Sequence, residues 1–214
     1  ELKKKSLLET ESILLLSESF YSPSESSSLL DHFIKQTPWR QDQIHMFDRT
    51  YDVPRLQQWY GDTQKAYTWS GIRMEPLPWN QELLEIRDAI QKATNHEFNS
   101  VLLNYYRDGN DTVGWHSDNE TELGEAPVIA SLSLGVSRDF VLRRVIGKPL
   151  KIKIPLTNGS LLVMSGQTQA NCLADPATRA RNKYRFVFHF HRNPNQKYLY
   201  KNLAKRSFPE ENGG

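Results

Sequence analysis

The second half of the chain consists of short extended segments in which apolar residues recur at alternate positions. We predict strands at 100–107, 128–134, 140–144, 150–156, 160–164 and 184–191. Asn158-Gly159, between the fourth and fifth of these strands, is typical of a two-residue β-hairpin turn. Many short antiparallel strands at this spacing favour a barrel or jelly roll over a parallel sheet with crossover helices.

Two amphipathic helices are predicted ahead of the strands. The first, over 22–36, has Ser22 as its N-cap and a proline in its first turn. The second begins after Asn80 and ends near Asn95, with its apolar residues on one side. Residues 37–79, rich in Trp, Tyr and Pro, indicate loops and short strands. The fold class is therefore α+β, mainly β, with helices flanking the strands on the N-terminal side.

Composition limits the class of protein. With 214 residues, 38% of them hydrophobic, the chain is long enough for one sizeable core. Cys172 is the only cysteine, which excludes a disulfide framework and a cysteine-rich zinc site and indicates a reducing, intracellular setting. Glu9 and Glu11 interrupt the apolar run near the start, so we expect neither a signal peptide nor a membrane span.

Charge is segregated along the chain, although the net charge is only +2. Between 108 and 137 there are six acidic residues and no Lys or Arg, whereas between 176 and 209 there are nine basic residues and no acid. An acidic stretch suits a divalent cation, and a basic stretch suits carboxylates or phosphates. Two solvated surface patches would give the same pattern.

His116 and Asp118 are two residues apart, just after an apolar run. A 2-His-1-carboxylate site for non-haem Fe(II) takes one His and one Asp from a short extended segment and a second His from a distant strand. The pair therefore supplies two candidate metal ligands and leaves the third to be found.

Seven segments, in one order, carry a resemblance to a known family. They are Ala-Tyr-Thr-Trp-Ser-Gly at 66–71, Pro-Leu-Pro-Trp at 76–79, Asn-Ser-Val-Leu-Leu-Asn-Tyr-Tyr-Arg-Asp-Gly at 99–109, Gly-Trp-His-Ser-Asp-Asn-Glu at 114–120, Ile-Ala-Ser-Leu-Ser-Leu-Gly at 129–135, Arg-Asp-Phe-Val-Leu-Arg at 138–143 and Gly-Ser-Leu-Leu-Val-Met-Ser-Gly-Gln-Thr-Gln at 159–169. The chain resembles the AlkB family of Fe(II)/2-oxoglutarate dioxygenases, especially the branch that repairs alkylated DNA. A lone His-x-Asp would be a weak match, but such an ordered series is hard to obtain by chance.

The resemblance implies a double-stranded β-helix, or jelly roll, that binds iron through His116 and Asp118. It also implies that Asn104 and Tyr106 hydrogen-bond the co-substrate 2-oxoglutarate. Residues two apart on a strand share a face, and an amide with a phenol can satisfy a carboxylate. Four segments follow: an N-terminal segment at 1–20, a helical and nucleotide-recognition region at 21–99, the β-helix core at 100–194 and a polar tail at 195–214.

Candidate substrate-binding residues also follow from the resemblance. Tyr67 and Trp69 match a pair of aromatics that lies over the flipped-out damaged base. Phe47 is at the spacing of an apolar wedge that fills the hole left by the base. Two further candidates rest on position and charge and not on the resemblance: Glu120, close behind the His-x-Asp pair, for hydrogen-bonding the base or a group around the metal ligands, and Arg143, with the basic run after 176, for meeting phosphates. Without the resemblance, core filling or loop packing would explain the aromatic residues.

The sequence departs from the family where the third iron ligand is expected. The family has Thr-Gln-x-x-Trp-x-His, but here Cys172 replaces the Trp and Ala174 replaces the His. Alanine cannot bind a metal. Asp175, Cys172 and His189 remain as substitutes, and a hard oxygen ligand makes Asp175 the best suited to Fe(II). A site without any third ligand is the remaining possibility.

The strand that follows departs from the family as well. The family has Arg, Asn, Thr and Arg at alternate positions, and the closest fit here is Lys183, Arg185, Val187 and His189. The polar face stays cationic, so Lys183, Arg185 and His189 are candidates for binding 2-oxoglutarate, although Lys lacks the bidentate fork of Arg.

These observations predict oxidative demethylation of N-alkylated bases in DNA or RNA, using Fe(II), O2 and 2-oxoglutarate and releasing an aldehyde. The alternative is a catalytically impaired AlkB-like protein that binds nucleic acid without turnover. A β-barrel module that binds carbohydrate or peptide would require all the motifs to be accidental. We expect an intracellular monomer without a membrane partner, located in the nucleus if eukaryotic and in the cytoplasm if bacterial, with alkylated DNA as its partner.

Overall fold

The computed structural model describes residues 3–5, 13–46, 48–62, 67–69, 72–116, 127–144, 150–165, 172–175 and 185–191. The helices are α1 (Pro23–Gln36) and α2 (Gln81–Thr94). The strands are β1 (Lys3–Lys5), β2 (Ile13–Ser17), β3 (Gln43–Met46), β4 (Arg49–Asp52), β5 (Leu56–Gly61), β6 (Tyr67–Trp69), β7 (Ile72–Met74), β8 (Ser100–Tyr106), β9 (Ile129–Gly135), β10 (Arg138–Arg144), β11 (Lys151–Leu156), β12 (Ser160–Ser165), β13 (Cys172–Asp175) and β14 (Arg185–His191). None of the described helices has the length and apolar character needed to cross a membrane.

Both helices begin where their capping residues indicate. The Ser22 side chain accepts from the backbone N–H of Glu25, while the Glu25 carboxylate accepts from the backbone N–H of Ser22, which forms a capping box. Asn80 caps α2 by accepting from Leu83 N, and Asn95 ends it in the left-handed conformation at φ 56°. The helix boundaries predicted from the sequence are therefore confirmed.

Two antiparallel sheets face each other across an apolar layer. The large sheet has the strand order β1-β2-β12-β9-β14-β8-β5, and the small sheet has the order β11-β10-β13. Leu162 and Met164 of the large sheet pack with Phe140, Leu142 and Ile154 of the small one. This two-sheet arrangement confirms the predicted jelly roll.

The outer face of the large sheet carries both helices. Leu83, Ile86 and Ile90, at helical spacing on α2, are buried in the same cluster as Phe33 of α1. The Phe33 ring lies edge-on to Phe188 of β14, with ring centroids 4.9 Å apart. The helices thus cover one face of the sheet, and its inner face combines the apolar layer against the small sheet with buried polar residues such as Asn104 and Ser131.

The predicted β-hairpin at Asn158-Gly159 is wrong. The turn exists, with Gly159 at φ +79°, but β11 pairs with β10 in the small sheet and β12 pairs with β2 and β9 in the large one. Gly159 N donates to Ser133 O, and Gly159 O accepts from the backbone N–H groups of Phe20 and Tyr21. Because these tertiary contacts take the backbone groups at the turn, the chain passes from one sheet to the other instead of folding back.

The predicted division into four segments stays a prediction. The large sheet draws β2 from the segment expected at 1–20, β5 from the region expected at 21–99 and the remaining major strands from 100–194. Two small antiparallel pairs, β3 with β4 and β6 with β7, lie in the region assigned to nucleotide recognition.

Candidate metal and co-substrate site

The predicted co-substrate residues lie on the inner face of the large sheet. Asn104 and Tyr106 are both buried on β8. On the adjacent strand β14, Val187 is directly opposite Asn104, and the backbone of Arg185 is directly opposite Tyr106. His189, half-buried, is opposite Ser131 of β9. Directly opposed residues of an antiparallel pair share a face, so the strand pairing brings these positions together.

The Asn104 amide is held by a buried arginine. Arg55, only 4% exposed, donates from Nε to Asn104 Oδ1 over 2.7 Å. Because this hydrogen bond identifies the amide oxygen as its acceptor, the NH2 group is the part of Asn104 that can donate to a carboxylate. Gln57 is directly opposite Asn104 on β5 and is also buried. The inner face of the sheet is therefore polar at this level.

His116 lies at the end of the segment that leads out of β8. Its Nδ1 is 2.8 Å from the backbone carbonyl oxygen of Gly114 and donates to it in the tautomer that fits this contact. That tautomer has its lone pair on Nε2, and metal-binding histidines usually donate the other ring N–H in this way. The chemistry of His116 therefore fits a metal ligand.

The segment between Tyr106 and His116 is fixed by an ion pair. Arg107 donates from its backbone N and from Nε to Asp111 Oδ2, at 2.8 and 2.7 Å, and from Nη2 to Asp111 Oδ1 at 2.9 Å. Burial by itself raises the pKa of Asp111, but the hydrogen bonds and charge of Arg107 outweigh it and hold that pKa below its usual range. The same contact raises the pKa of Arg107.

We expect Asp111→Asn to make the free energy of unfolding depend less on pH in the acidic range. A carboxyl whose pKa is lowered by folding contributes stability above its unfolded pKa, near pH 4, and this contribution is lost as pH falls through the folded pKa. The variant should lose about 1–3 kcal/mol at pH 7 by urea unfolding, and less at pH 3. A deficit equal at both pH values would contradict this expectation.

Asp88→Asn is the matched control for this measurement. Asp88 also pairs with an arginine, at 2.9 Å from Arg87 Nη2, but its side chain is 63% exposed. Since exposed pairs contribute little, the free energy of unfolding should change by no more than about 0.5 kcal/mol.

Arg143 stacks on Trp115, the residue that precedes the candidate metal ligand His116. Its guanidinium carbon is 4.9 Å from the ring centroid of Trp115, and both side chains are exposed. Trp115 directly precedes His116 in the chain. A cation over an exposed indole next to the site provides a stacking surface and a positive charge, which are two elements of nucleic-acid binding.

Strand β13, on which the family has its third iron ligand, pairs with β10. Ala174 is directly opposite Leu142, and Asp175 is directly opposite Val141. Leu142 is buried between the two sheets. Because directly opposed positions of an antiparallel pair share a face, position 174 is on the inward face of β13. The register agrees with the family pattern, which has its histidine at this position.

Several predicted site residues are not among the residues that the structure describes, or are described by their backbone alone. Phe47, Asp118, Glu120 and Lys183 are outside the described residues altogether. Tyr67 and Trp69 are on β6, two residues apart, and only their backbone is described, as for Arg185 and Asp175. Within the ranges that the structure describes, no three His, Cys, Asp or Glu side chains form a group that could hold a metal ion.

Some residues of this region were missed by the sequence reasoning. Arg55, Asp111 and Arg138 are buried charged residues that contact the predicted site or the segment leading to His116. Ser131 and Ser133 are buried on the inner face of β9. The two serines could have been found, because they alternate with apolar residues in an otherwise apolar strand. Nothing in the local sequence distinguishes the three charged residues from exposed ones.

Comparison with known proteins identifies the family. The model of the 2OG-Fe(II) oxygenase superfamily matches residues 13–172. The alpha-ketoglutarate-dependent dioxygenase alkB homolog 3 of Mus musculus is 43% identical over 164 residues, which cover 71% of this chain and 56% of that protein. The DNA oxidative demethylase ALKBH2 of Homo sapiens is 40% identical over 135 residues, covering 60% and 52%. The chain therefore spans little more than half the length of these curated relatives.

A solved structure gives the same architecture. OsALKBH1 matches with a TM-score of 0.58 and 14% identity, over 84% of this chain and 97% of that chain. At this identity the likeness concerns the fold alone, and it agrees with the two-sheet arrangement. Since the superfamily model matches most of the chain and the relatives at about 40% identity are AlkB homologues, the chain belongs to the 2OG-Fe(II) oxygenase superfamily and, within it, to the AlkB family of dioxygenases.

Proposed function

We propose that the chain is an Fe(II)/2-oxoglutarate-dependent dioxygenase that removes N-alkyl groups from bases in nucleic acid. One observation carries the proposal. Asn104 and Tyr106 are buried on one face of β8, and the segment that follows them leads directly to a histidine whose Nδ1 contacts a backbone carbonyl oxygen. That arrangement supports the proposal, in which one continuous stretch of chain contributes two groups for the carboxylates of 2-oxoglutarate and an imidazole for the metal.

Each part of the chemistry has candidate residues in this chain. His116, Asp118 and Asp175 would hold the metal, and Asn104 and Tyr106, with the cationic face of Lys183, Arg185 and His189, would hold 2-oxoglutarate. The bound iron supplies the activation of O2. Overall, 2-oxoglutarate is oxidised to succinate and CO2, one oxygen atom enters the alkyl C–H bond, and the C–N bond then breaks to release an aldehyde. The protein holds the reactants in position and excludes water.

Nucleic acid is the proposed substrate for two reasons. The printed names of the relatives include a DNA oxidative demethylase. Arg143 stacked on the exposed Trp115 offers a cationic and aromatic surface next to His116. In this proposal Tyr67 and Trp69 contact the alkylated base, Glu120 hydrogen-bonds it, Phe47 fills the hole that it leaves and Arg143 meets a phosphate. DNA is the first candidate and RNA the second, and the protein acts as an intracellular monomer.

A second candidate function is nucleic-acid binding without turnover. Ala174 favours it, because the inward position of β13 that pairs with Leu142 carries a residue that cannot bind a metal. Metal binding in the presence of 2-oxoglutarate separates the two functions.

The test is an incubation of this chain with Fe(II), 2-oxoglutarate, O2 and single-stranded oligonucleotides that carry one N-methylated base, as DNA and as RNA. We expect formaldehyde and succinate in equal amounts, and neither product from His116→Ala. Oligonucleotide binding without formaldehyde, together with no charge-transfer band on anaerobic addition of Fe(II) and 2-oxoglutarate, would favour the second candidate.

A further inference from the structure

Arg138 is a buried cation beside one of the two co-substrate candidates. It is the first residue of β10 and only 3% exposed. Its guanidinium carbon is 5.0 Å from the ring centroid of Tyr106. Its Nη1 donates to the backbone carbonyl of Asp111 at 2.9 Å, and its Nη2 donates to that of Asp108. One side chain therefore contacts both Tyr106 and the segment that leads to His116.

Among the described contacts of the Arg138 guanidinium, the hydrogen-bond acceptors are backbone carbonyl oxygens and none is a carboxylate. The Asp111 carboxylate binds Arg107, whereas Arg138 contacts Asp111 through its backbone carbonyl oxygen. Burial lowers the pKa of Arg138, and Tyr106, Asp111 and Asp108 act in the opposite direction. A buried guanidinium is costly unless its hydrogen bonds are made. The two carbonyl hydrogen bonds and the contact with the Tyr106 ring offset part of that cost here.

Arg55 contacts the other co-substrate candidate, Asn104, as Arg138 contacts Tyr106. Its Nε donates to Asn104 Oδ1, and its Nη1 is 3.5 Å from the Thr112 carbonyl oxygen that accepts from it. Thr112 N donates in turn to Pro54 O at 2.8 Å. Arg55 therefore links the Asn104 amide to the same segment that Arg138 holds, from an element on another part of the chain.

We propose that Arg55 and Arg138 are positioning residues of the co-substrate site, which together fix the Asn104 amide, the Tyr106 ring and residues 107–114 ahead of His116. Each arginine contacts one co-substrate candidate and at least one backbone carbonyl of this segment. In this proposal the two arginines set the position of the groups that would bind 2-oxoglutarate. This inference rests on the proposed function, because that function assigns Asn104 and Tyr106 to 2-oxoglutarate and His116 to the metal.

The test measures binding of Mn(II), and then of 2-oxoglutarate to the Mn(II)-loaded chain, by calorimetry. Arg55→Met and Arg138→Met should each weaken 2-oxoglutarate binding by roughly tenfold or more, as supporting residues of metal sites do. Arg55→Lys and Arg138→Lys keep the charge but lose the planar fork, so they should fall between the Met variants and the unchanged chain. If a Met variant does not fold, its Lys variant carries the test.

A double-mutant cycle separates positioning from general support. If Arg55 acts in part through Asn104, Arg55→Met should weaken 2-oxoglutarate binding by a clearly smaller factor in the Asn104→Ala background than in the unchanged chain. A residue that merely stabilises the fold would lower the affinity equally in both backgrounds. Full additivity, or 2-oxoglutarate affinities within twofold of the unchanged chain in the Met and Lys variants, would overturn the proposal.

Lys153→Met is the matched control. Lys153 Nζ pairs with Asp139, the neighbour of Arg138 on β10, at 2.7 Å, but its side chain is 63% exposed and belongs to β11. This variant should bind 2-oxoglutarate as the unchanged chain does.

Hydrogen exchange of the metal-free chain distinguishes failure of this proposal from failure of the proposed function. We expect the amides of 108–116 to exchange faster in both Met variants, while those of β9 and β12 keep their protection. If the unchanged chain binds no 2-oxoglutarate, the proposed function fails. The positioning proposal is then supported by faster exchange at 108–116 and overturned by unchanged exchange.

Discussion

Ala174→His is expected to raise the affinity of the chain for Fe(II) by at least about tenfold, since even residues that only support metal ligands change affinity by 10–100-fold. The expectation rests on register. Position 174 is directly opposite Leu142, which is buried between the sheets, and is therefore on the inward face of β13. A histidine there would add the second imidazole of a 2-His-1-carboxylate set to His116 and Asp118.

The measurement is an anaerobic Fe(II) titration with 2-oxoglutarate present, followed by the charge-transfer band in the visible spectrum. Leu173→His is the matched control, because residue 173 is opposite the exposed Arg143 and alternation puts it on the other face of β13. It should give no gain. Equal affinities for the unchanged chain and Ala174→His would contradict the expectation. If both chains give the band, a residue of this chain completes the site, and Asp175→Ala should weaken Fe(II) binding.

Gly159→Ala is expected to lower the free energy of unfolding by about 2–4 kcal/mol, which combines backbone strain with the loss of nearby hydrogen bonds. Gly159 has φ +79°, where a residue with a Cβ is strained. A Cβ there would come within 2.5 Å of both Tyr21 O and Ser26 Oγ. The backbone carbonyl cannot swing aside as a side chain can, so the contacts of Gly159 O with Phe20 N and Tyr21 N would be disturbed.

Urea unfolding at neutral pH checks this expectation, with Gly114→Ala as its control. A Cβ at Gly114 meets nothing within 4 Å. The control should therefore stay within about 0.5 kcal/mol of the unchanged chain, as surface substitutions do. Equal stability of the two variants would show that the turn can move away from α1 at no cost.

Local sequence determined the two helices and most of the strands after residue 99. Ser22 and Asn80 satisfy free backbone N–H groups at the helix starts, and Pro23 removes one such donor, so α1 and α2 begin where capping chemistry puts them. The alternating pattern of β8 put Asn104 and Tyr106 on one face, and the structure has both buried on the inner face of the large sheet. Such features depend on neighbours within a few residues, and a single sequence contains them.

Tertiary structure decided the features that depend on distant partners. Asn158-Gly159 has the local chemistry of a hairpin, yet Gly159 N donates to Ser133 O, Gly159 O accepts from Phe20 N and Tyr21 N, and the two flanking strands belong to different sheets. Arg55 and Arg138 are likewise buried only because the fold brings backbone carbonyls and the Asn104 amide within reach of their guanidinium groups. Burying a charge costs several kcal/mol per ion unless partners are supplied, and those partners are far away in sequence. The sequence by itself therefore determined the two helices, most of the strands after residue 99 and the face that carries the candidate site. Only the tertiary structure added β2 and β13 to the sheets and decided how the strands are shared between sheets and which charges support that face.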